Sequence, residues 1–209
     1  MTLPHSAAEL EIRDAVVARF RKLWPTARII HELNIDGGTT RADVAAVTVD
    51  RLILCEIKSE RDTLDRLEAQ CRSFYPTCHH LVVAAHEKWF AEPAPVRRKN
   101  GDIHYPPSAI AGMGAGATMW RYPGQGEWLI GRAVTPWPDR MLGLLWVDEL
   151  KAECARHQAG LAGRSASRDL RGALMAQLLG PEIEAAVCRR LRSRPFTEAD
   201  PQIREGAFS

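Results

Sequence analysis

Two adjacent apolar segments, residues 41–49 and 52–58, constrain the fold of this chain more than any other feature. Both are short and rich in aliphatic and β-branched residues, and only Asp50 and Arg51 separate them. Because so tight a connection brings consecutive strands side by side, the segments predict an antiparallel β-hairpin.

Three charged residues stand near the open end of this hairpin. Successive side chains of a strand point to opposite faces, so Glu56 and Lys58 share one face of the second strand. If the hairpin is symmetric about Asp50 and Arg51, Asp43 lies opposite Lys58 and points to the same face. A single bulge would move Asp43 to the other face.

The flanking segments predict an α/β core. Apolar residues at helical spacing indicate an amphipathic helix over residues 8–23, and residues 28–35 and 79–85 are typical of strands. Ser59 is the expected N-cap of a second helix, which ends before Pro76. The order α-β-β-β-α-β predicts a mixed central sheet, because this second helix returns the chain for a parallel pairing.

Side-chain alternation also assigns faces within residues 28–35. Ile29, Leu33 and Ile35 are expected on one face of this strand, and Ile30, Glu32 and Asn34 on the other.

The remainder of the chain divides into a loop-rich insertion and a helical region. Seven of the 13 prolines and seven of the 15 glycines fall between Pro93 and Pro138, so we treat residues 91–140 as an insertion that contains one strand, at 126–134. Three apolar-periodic segments follow, at 141–157, 167–179 and 181–194. The expected organisation is a core over residues 1–140 and a C-terminal helical region over 141–209 that packs on it.

Composition and cysteine usage favour a cytoplasmic protein. The five cysteines are odd in number and contain no C-x-x-C pair, which favours a reducing compartment. The first 16 residues lack the pattern of a secretory signal, and no apolar run reaches the length of a membrane span. A formal net charge of +2 neither indicates nor excludes a nucleic-acid binder.

Asp43, Glu56 and Lys58 together supply the groups that phosphodiester hydrolysis requires. Two carboxylates and the backbone carbonyl of Ile57 are oxygen ligands suited to Mg²⁺ or Mn²⁺. Lys58 would orient the attacking water or balance charge in the transition state. The alternative is a solvated sheet face on which Asp43 pairs with Lys58, and Glu56 with a nearby arginine.

The segments "HELNIDGGTTRADVAAV" and "EIKSERDTLDRLEAQ" resemble a bacterial branch of the PD-(D/E)XK nuclease superfamily, a branch near Holliday-junction resolvases and VRR-NUC modules. The resemblance covers residues 9–90 well and 141–194 loosely, and it implies a restriction-endonuclease-like core. It makes Asp43 and Glu56 the metal-binding acids and Lys58 the catalytic lysine. Ala42 stands where the name of the superfamily has proline.

Further site residues follow from the resemblance. Gln70 matches a glutamine that related nucleases carry on the helix after the E-x-K strand, and Glu32 is a candidate third acid at the metal. Glu11 is a candidate outer carboxylate, although a solvated helix glutamate is an alternative.

Several arginines are candidate nucleic-acid contacts. Arg41 and Arg66 flank the motif, and Arg168 and Arg171 belong to a run of eight arginines against three acids over residues 156–194. An exposed salt bridge is the alternative for each of Arg41 and Arg66, and a solvated helical face is the alternative for the C-terminal run. We expect a metal-dependent nuclease that acts on nucleic acid, with DNA as the expected substrate. The chain is also expected to form a homodimer, and no association with a membrane is expected. The alternative is an inactive PD-(D/E)XK fold that serves as a nucleic-acid-binding or protein-interaction module.

Overall fold

A computed structural model describes residues 6–99, 102–114, 116–124, 129–160 and 166–203. The elements in chain order are α1 (Ala7–Leu23), β1 (Arg28–Ile35), β2 (Thr40–Val47), β3 (Leu52–Lys58), α2 (Leu67–Phe74), β4 (His80–His86), β5 (Val96–Arg97), β6 (Ile103–His104), β7 (Thr118–Tyr122), α3 (Pro138–Leu142), α4 (Val147–Arg156), α5 (Ser167–Gln177) and α6 (Gly180–Ser193). The protein is therefore of mixed α/β class.

Five strands form one mixed sheet in the order β1-β2-β3-β4-β7. β1 pairs with β2, and β2 with β3, in antiparallel fashion, while β3–β4 and β4–β7 are parallel. The predicted hairpin and the predicted parallel return after α2 are both confirmed. β7 was not predicted. Its five residues lie in the insertion, and apolar and polar residues do not alternate clearly along them.

The register of the β2–β3 hairpin differs from the predicted one. Val44 pairs with Cys55 and Val47 with Leu52, so continuation of this register sets Asp43 opposite Glu56 and the prediction that Asp43 lies opposite Lys58 is wrong. The connection spans residues 48–51, because the Thr48 hydroxyl accepts N–H bonds from Asp50 and Arg51 and closes a wider turn. A displacement of two residues preserves the side-chain faces.

Glu32 interrupts the alternation of β1. Its φ is +55°, a left-handed conformation that is uncommon for residues with a side chain. Ile30 therefore packs in the same apolar cluster as Leu33 and Ile35, and Ile29 lies in the other cluster. The predicted grouping of Ile29 with Leu33 and Ile35 is wrong for this reason.

Helices cover both faces of the sheet. On one face, α1 buries Ile12, Val16 and Phe20 against residues of β2–β4 and against Trp120 of β7. The opposite face is covered by α2 and by the C-terminal helices, whose residues share one apolar cluster with Leu52 and Leu54 of β3. Both faces of β3 are therefore buried, which accounts for its continuous apolar sequence.

Three of the C-terminal helices, α4, α5 and α6, carry an acidic residue in their first turn. The N–H groups that precede α4, α5 and α6 donate to Glu149, Asp169 and Glu182 respectively, each at the third helical position. The predicted helix at 141–157 is divided into α3 and α4 between Leu142 and Val147. The boundary at residue 140 between core and helical region stays a prediction.

Two predicted boundaries are wrong. Ser59 does not cap α2: its N–H and hydroxyl both donate to Asp62, which forms a local turn, and the helix begins only at Leu67. The strand predicted at 126–134 is irregular over residues 129–134, and residues 125–128 lie outside the described part of the chain. Val134 nevertheless donates its N–H to the His79 carbonyl.

All five cysteines are free and buried. Burial raises the pKa of Cys71 and of Cys188 to about 12. Of the helices described, none combines the length and the apolar character needed to cross a bilayer.

Candidate active site

The candidate site is a cleft at the point where β2 and β3 separate. Their pairing ends at Val44 and Cys55, whereas β3 remains paired with β4 as far as Lys58 and Ala85. The cleft has a volume of about 710 Å³. It is lined by residues of α1, β1, β2, β3, α2 and the adjoining loops, namely Glu9, Glu32, Asn34, Gly38, Thr39, Thr40, Arg41, Asp43, Glu56, Ile57, Lys58, Asp62, Arg66, Ala69 and Gln70.

Asp43 bridges the gap between the two strands. Its Oδ2 accepts the N–H of Ile57 at 2.6 Å, where regular pairing would use a backbone carbonyl. In an extended strand the N–H and C=O of one residue point toward the same neighbouring strand. The Ile57 carbonyl is therefore directed to the Asp43 side of β3, as a metal-ligand role requires.

Glu56, Lys58 and Gln70 form a closed set of hydrogen bonds. Lys58 Nζ donates to Glu56 Oε1 at 2.7 Å and to Gln70 Oε1 at 3.1 Å, and Gln70 Nε2 donates to Glu56 Oε1 at 2.6 Å. The side chains of Lys58 and Glu56 are only 6% and 3% exposed. Glu56 Oε2 is buried and has no hydrogen-bond partner among the described residues.

Both carboxyl groups are held in an unfavourable environment for their ionised forms. Burial, together with the nearby Glu56 carboxylate, raises the pKa of Asp43 well above its ordinary value, against the opposing effects of the Ile57 N–H and Arg13. Burial also raises the pKa of Glu56, although Lys58 and Gln70 oppose the shift. A cation between the two carboxylates would offset these desolvation and repulsion costs.

Arg13 is the main cationic group on the α1 side of the cleft. Its buried guanidinium donates to Glu9 and Glu32, each at 2.8 Å, and to the Asp43 carbonyl at 2.7 Å. Arg41 approaches the other oxygen of Glu32 at 2.5 Å. Both Glu32 oxygens thus have guanidinium partners, so this carboxylate is less available to a metal than those of Asp43 and Glu56.

The cleft brings most of the sequence-predicted site residues together. Every predicted catalytic and metal-binding residue lines it, as do two of the predicted nucleic-acid contacts, Arg41 and Arg66. Arg168 and Arg171 are not part of this lining, and Arg171 forms an ion pair with Asp139 at 3.3 Å. The roles of all these residues stay predictions.

Sequence reasoning missed two residues of α1. Glu9 lines the cleft, whereas Glu11, the predicted outer carboxylate, is exposed outside it. Arg13 was not singled out either. The spacing of Glu9 and Arg13 at i and i+4 was the available signal, because such a pair lies on one helix face.

The acids of the cleft do not form a complete protein-only metal cage. In the described ranges, no group of three or more His, Cys, Asp or Glu residues is arranged to hold a metal ion. Asp43 and Glu56 are a pair, with the Ile57 carbonyl as a third oxygen.

Comparison with known proteins shows a similarity to a bacteriophage protein family. A sequence profile of the family described as "Bacteriophage P4 protein cII" matches residues 4–100, just under half of the chain. The matched segment includes α1, β1–β4 and α2, and therefore every residue that lines the cleft. No curated protein and no solved structure matches the chain.

Proposed function

We propose that the protein is a metal-dependent nuclease that hydrolyses phosphodiester bonds of nucleic acid, with DNA as the expected substrate. The observation that carries the proposal is the Glu56 carboxylate, which is buried beside Asp43 with Oε2 unpartnered among the described residues. Leaving such an oxygen unpaired is costly, and a divalent cation satisfies it.

The donor set fits Mg²⁺ or Mn²⁺. Mg²⁺ is usually bound through one or two carboxylates and retains water or substrate oxygens at its remaining positions. Asp43, Glu56 and the Ile57 carbonyl would hold the ion, and an ion held there supplies charge stabilisation and an acidified water. The small number of acids is consistent with such an open site.

Lys58 and Gln70 have supporting roles in this proposal. The Lys58 ammonium is fixed by Glu56 and Gln70 and provides a positive charge next to the carboxylates. A buried ammonium at this position stabilises negative charge on a phosphate or orients the attacking water. Gln70 is a positioning residue, since it bonds both Lys58 and Glu56.

Other features are consistent with a nuclease. Arg41 and Arg66 are exposed residues of the cleft lining, where guanidinium groups suit phosphate contacts. The order and pairing of β1–β4, with α1 and α2 on opposite faces, support a restriction-endonuclease-like core. Five free buried thiols support a cytoplasmic, reducing location.

The test combines metal titration with cleavage assays. Calorimetric titration of Mg²⁺ and Mn²⁺ is performed on the parent, Asp43→Asn, Glu56→Gln and Lys58→Ala. Cleavage is measured on linear, nicked, flapped, branched and single-stranded substrates. We expect the two acid variants to lose metal binding and about 100-fold or more in rate, while Lys58→Ala loses a similar factor in rate but retains metal affinity, because an ammonium is not a ligand.

Glu11→Gln is the matched control, since it removes an exposed carboxylate of α1 outside the cleft. It should bind metal and cleave as the parent does. Failure of the parent to bind either ion, or three cleft variants that cut at the parent rate, would refute the proposal. A parent that binds nucleic acid but never cuts it would instead support the inactive binding module.

A further inference from the structure

The β5–β6 hairpin stands apart from the rest of the structure. Val96 pairs with His104 and Arg97 with Ile103, in a two-stranded sheet separate from the central one. Every described residue between 91 and 105 is exposed. Since these residues are exposed, burial of apolar surface does not account for the hairpin. An isolated two-stranded hairpin is also only marginally stable in water.

Prolines stiffen both connections to the hairpin. Pro93 and Pro95 precede β5, and Pro106 and Pro107 follow β6. Proline fixes φ and favours extended chain, so proline-rich segments act as semi-rigid spacers. Each connection has five residues, which reach at most about 16 Å when fully extended, at roughly 3.3 Å per residue.

The base of the hairpin is attached beside the cleft. The Trp89 indole N–H, just before the first proline-rich connection, donates to the Ser59 carbonyl at 3.0 Å. After the second connection, Ile110 donates its N–H to the Trp89 carbonyl at 3.2 Å and is buried. Ser59 directly follows Lys58, and its turn partner Asp62 lines the cleft.

The hairpin carries the chemistry of a nucleic-acid contact. Arg97, Arg98 and Lys99 are consecutive, and Asp102 is the only acid over residues 96–105. The side chains of Val96, Ile103 and Tyr105 are 55%, 57% and 72% exposed. Cations that neutralise phosphates, next to apolar groups that pack against bases and sugars, are typical of groove-binding elements.

We propose that the β5–β6 hairpin is an arm that contacts duplex DNA beside the bond held in the cleft. This inference rests on the proposed function, and it specifies the form of the substrate. The major groove of B-form DNA admits a two-stranded β-ribbon, whereas the deep, narrow major groove of A-form RNA does not. The connections allow a reach of at most about 16 Å, which is about half of the roughly 34 Å rise of one turn of B-DNA.

The test measures binding in EDTA, so that it does not depend on catalysis. Fluorescence anisotropy gives the affinity for a 30-base-pair DNA duplex and for an RNA duplex of the same sequence at several salt concentrations. The variant is Arg97→Ala with Arg98→Ala. The control is Lys22→Ala with Arg51→Ala, which removes the same charge from exposed sites on α1 and on the β2–β3 connection.

We expect the hairpin variant to lose about tenfold in DNA affinity and the slope of log K against log salt to fall by about 1.8, or 0.9 for each phosphate contact removed. The control should lose less than twofold. Equal losses for variant and control, or a parent that does not bind the DNA duplex, would overturn the inference, as would an equal tenfold loss on the RNA duplex. A parent that binds through the hairpin but cuts nothing would overturn only the proposed function.

Discussion

The two oxygens of the Glu56 carboxylate have unequal surroundings. Oε1 accepts from both Lys58 and Gln70, and Oε2 is buried with no hydrogen bond among the described residues. Asp43 shows a milder form of the same asymmetry, since Oδ2 receives the Ile57 N–H and Oδ1 is 3.9 Å from the Arg13 guanidinium. Each acid is thus anchored through one oxygen, which leaves the other for a ligand.

The raised pKa of Asp43 predicts that Asp43→Asn stabilises the metal-free protein at alkaline pH. A carboxyl with a raised pKa in the folded state destabilises the fold above that pKa, and the penalty is relieved as the pH falls through it. Asparagine carries no charge and retains an oxygen for the Ile57 N–H. At pH 8 we expect the Tm in EDTA to rise by about 2 °C or more, since about 1 kcal/mol corresponds to 2–4 °C in a chain of this size.

Differential scanning calorimetry from pH 5 to pH 8 checks this prediction. The difference between variant and parent should shrink on acidification, and excess Mg²⁺ should stabilise only the parent. Asp148→Asn is the control, because its side chain is 95% exposed. A variant that melts below the parent at every pH would show that Asp43 is a structural residue.

The sequence predicts those residues of the site that strand alternation and the E-x-K spacing are enough to identify. To place Asp43, Glu56 and Lys58 on one face, it was enough to know which side chains of the two paired strands point the same way. The predicted register was wrong by two residues, but a shift of two residues leaves each side chain on the same face. Arg13 and Glu9 could not be found in the same way. Their contacts depend on the packing of α1 against the sheet, which periodicity alone does not orient.

At the scale of elements, the connection between β2 and β3 decides the register of the hairpin. The Thr48 hydroxyl accepts the N–H of Arg51 at 2.8 Å and donates to Asp50 Oδ1 at 2.9 Å. Sequence reasoning missed it because a threonine inside an apolar run is equally compatible with a longer strand. Similarly, Ser59 had the composition of a helix cap, but its partner Asp62 closes a turn instead.

Thr48→Ala should destabilise the protein by about 1 kcal/mol, because the substitution removes the hydroxyl that closes this turn. Thr48→Ser keeps the hydroxyl and should restore most of the lost stability. Urea denaturation at equilibrium measures both variants, and Thr26→Ala, at an exposed position before β1, is the control. Equal stability of the alanine and serine variants would mean that the turn does not depend on the hydroxyl.

For the whole molecule, the C-terminal helices complete the core. Met141, Leu174 and Leu191 are fully buried in the same cluster as Leu52 and Leu54 of the central sheet. Arg28 at the start of β1 donates to the carbonyls of residues 191, 192 and 194. Sequence patterns gave the helices and their apolar faces, but not these contacts, which join residues more than 160 positions apart.

A chain of residues 1–140 should therefore fail to fold cooperatively. Removal of residues 141–209 deletes α4–α6 and the end of α3, which uncovers part of one face of the sheet. Each large aliphatic side chain that loses its cover forfeits roughly 1.5–3 kcal/mol. Circular dichroism during thermal unfolding measures the outcome. The full-length chain is the control and should melt in one sharp transition, whereas a sharp two-state transition for 1–140 would contradict the prediction.

All five thiols are buried, so their reactivity toward a thiol reagent reports local unfolding of the protein. Because the reactive species is the thiolate, a buried thiol with a pKa near 12, such as that of Cys71, is inert at neutral pH. We expect no fast reaction of the native protein with Ellman's reagent and five reacting groups in denaturant. Cys55 lies within the sheet, Cys71 on α2 and Cys188 on α6, so the order in which they become reactive in mild urea would report which layer of the molecule opens first.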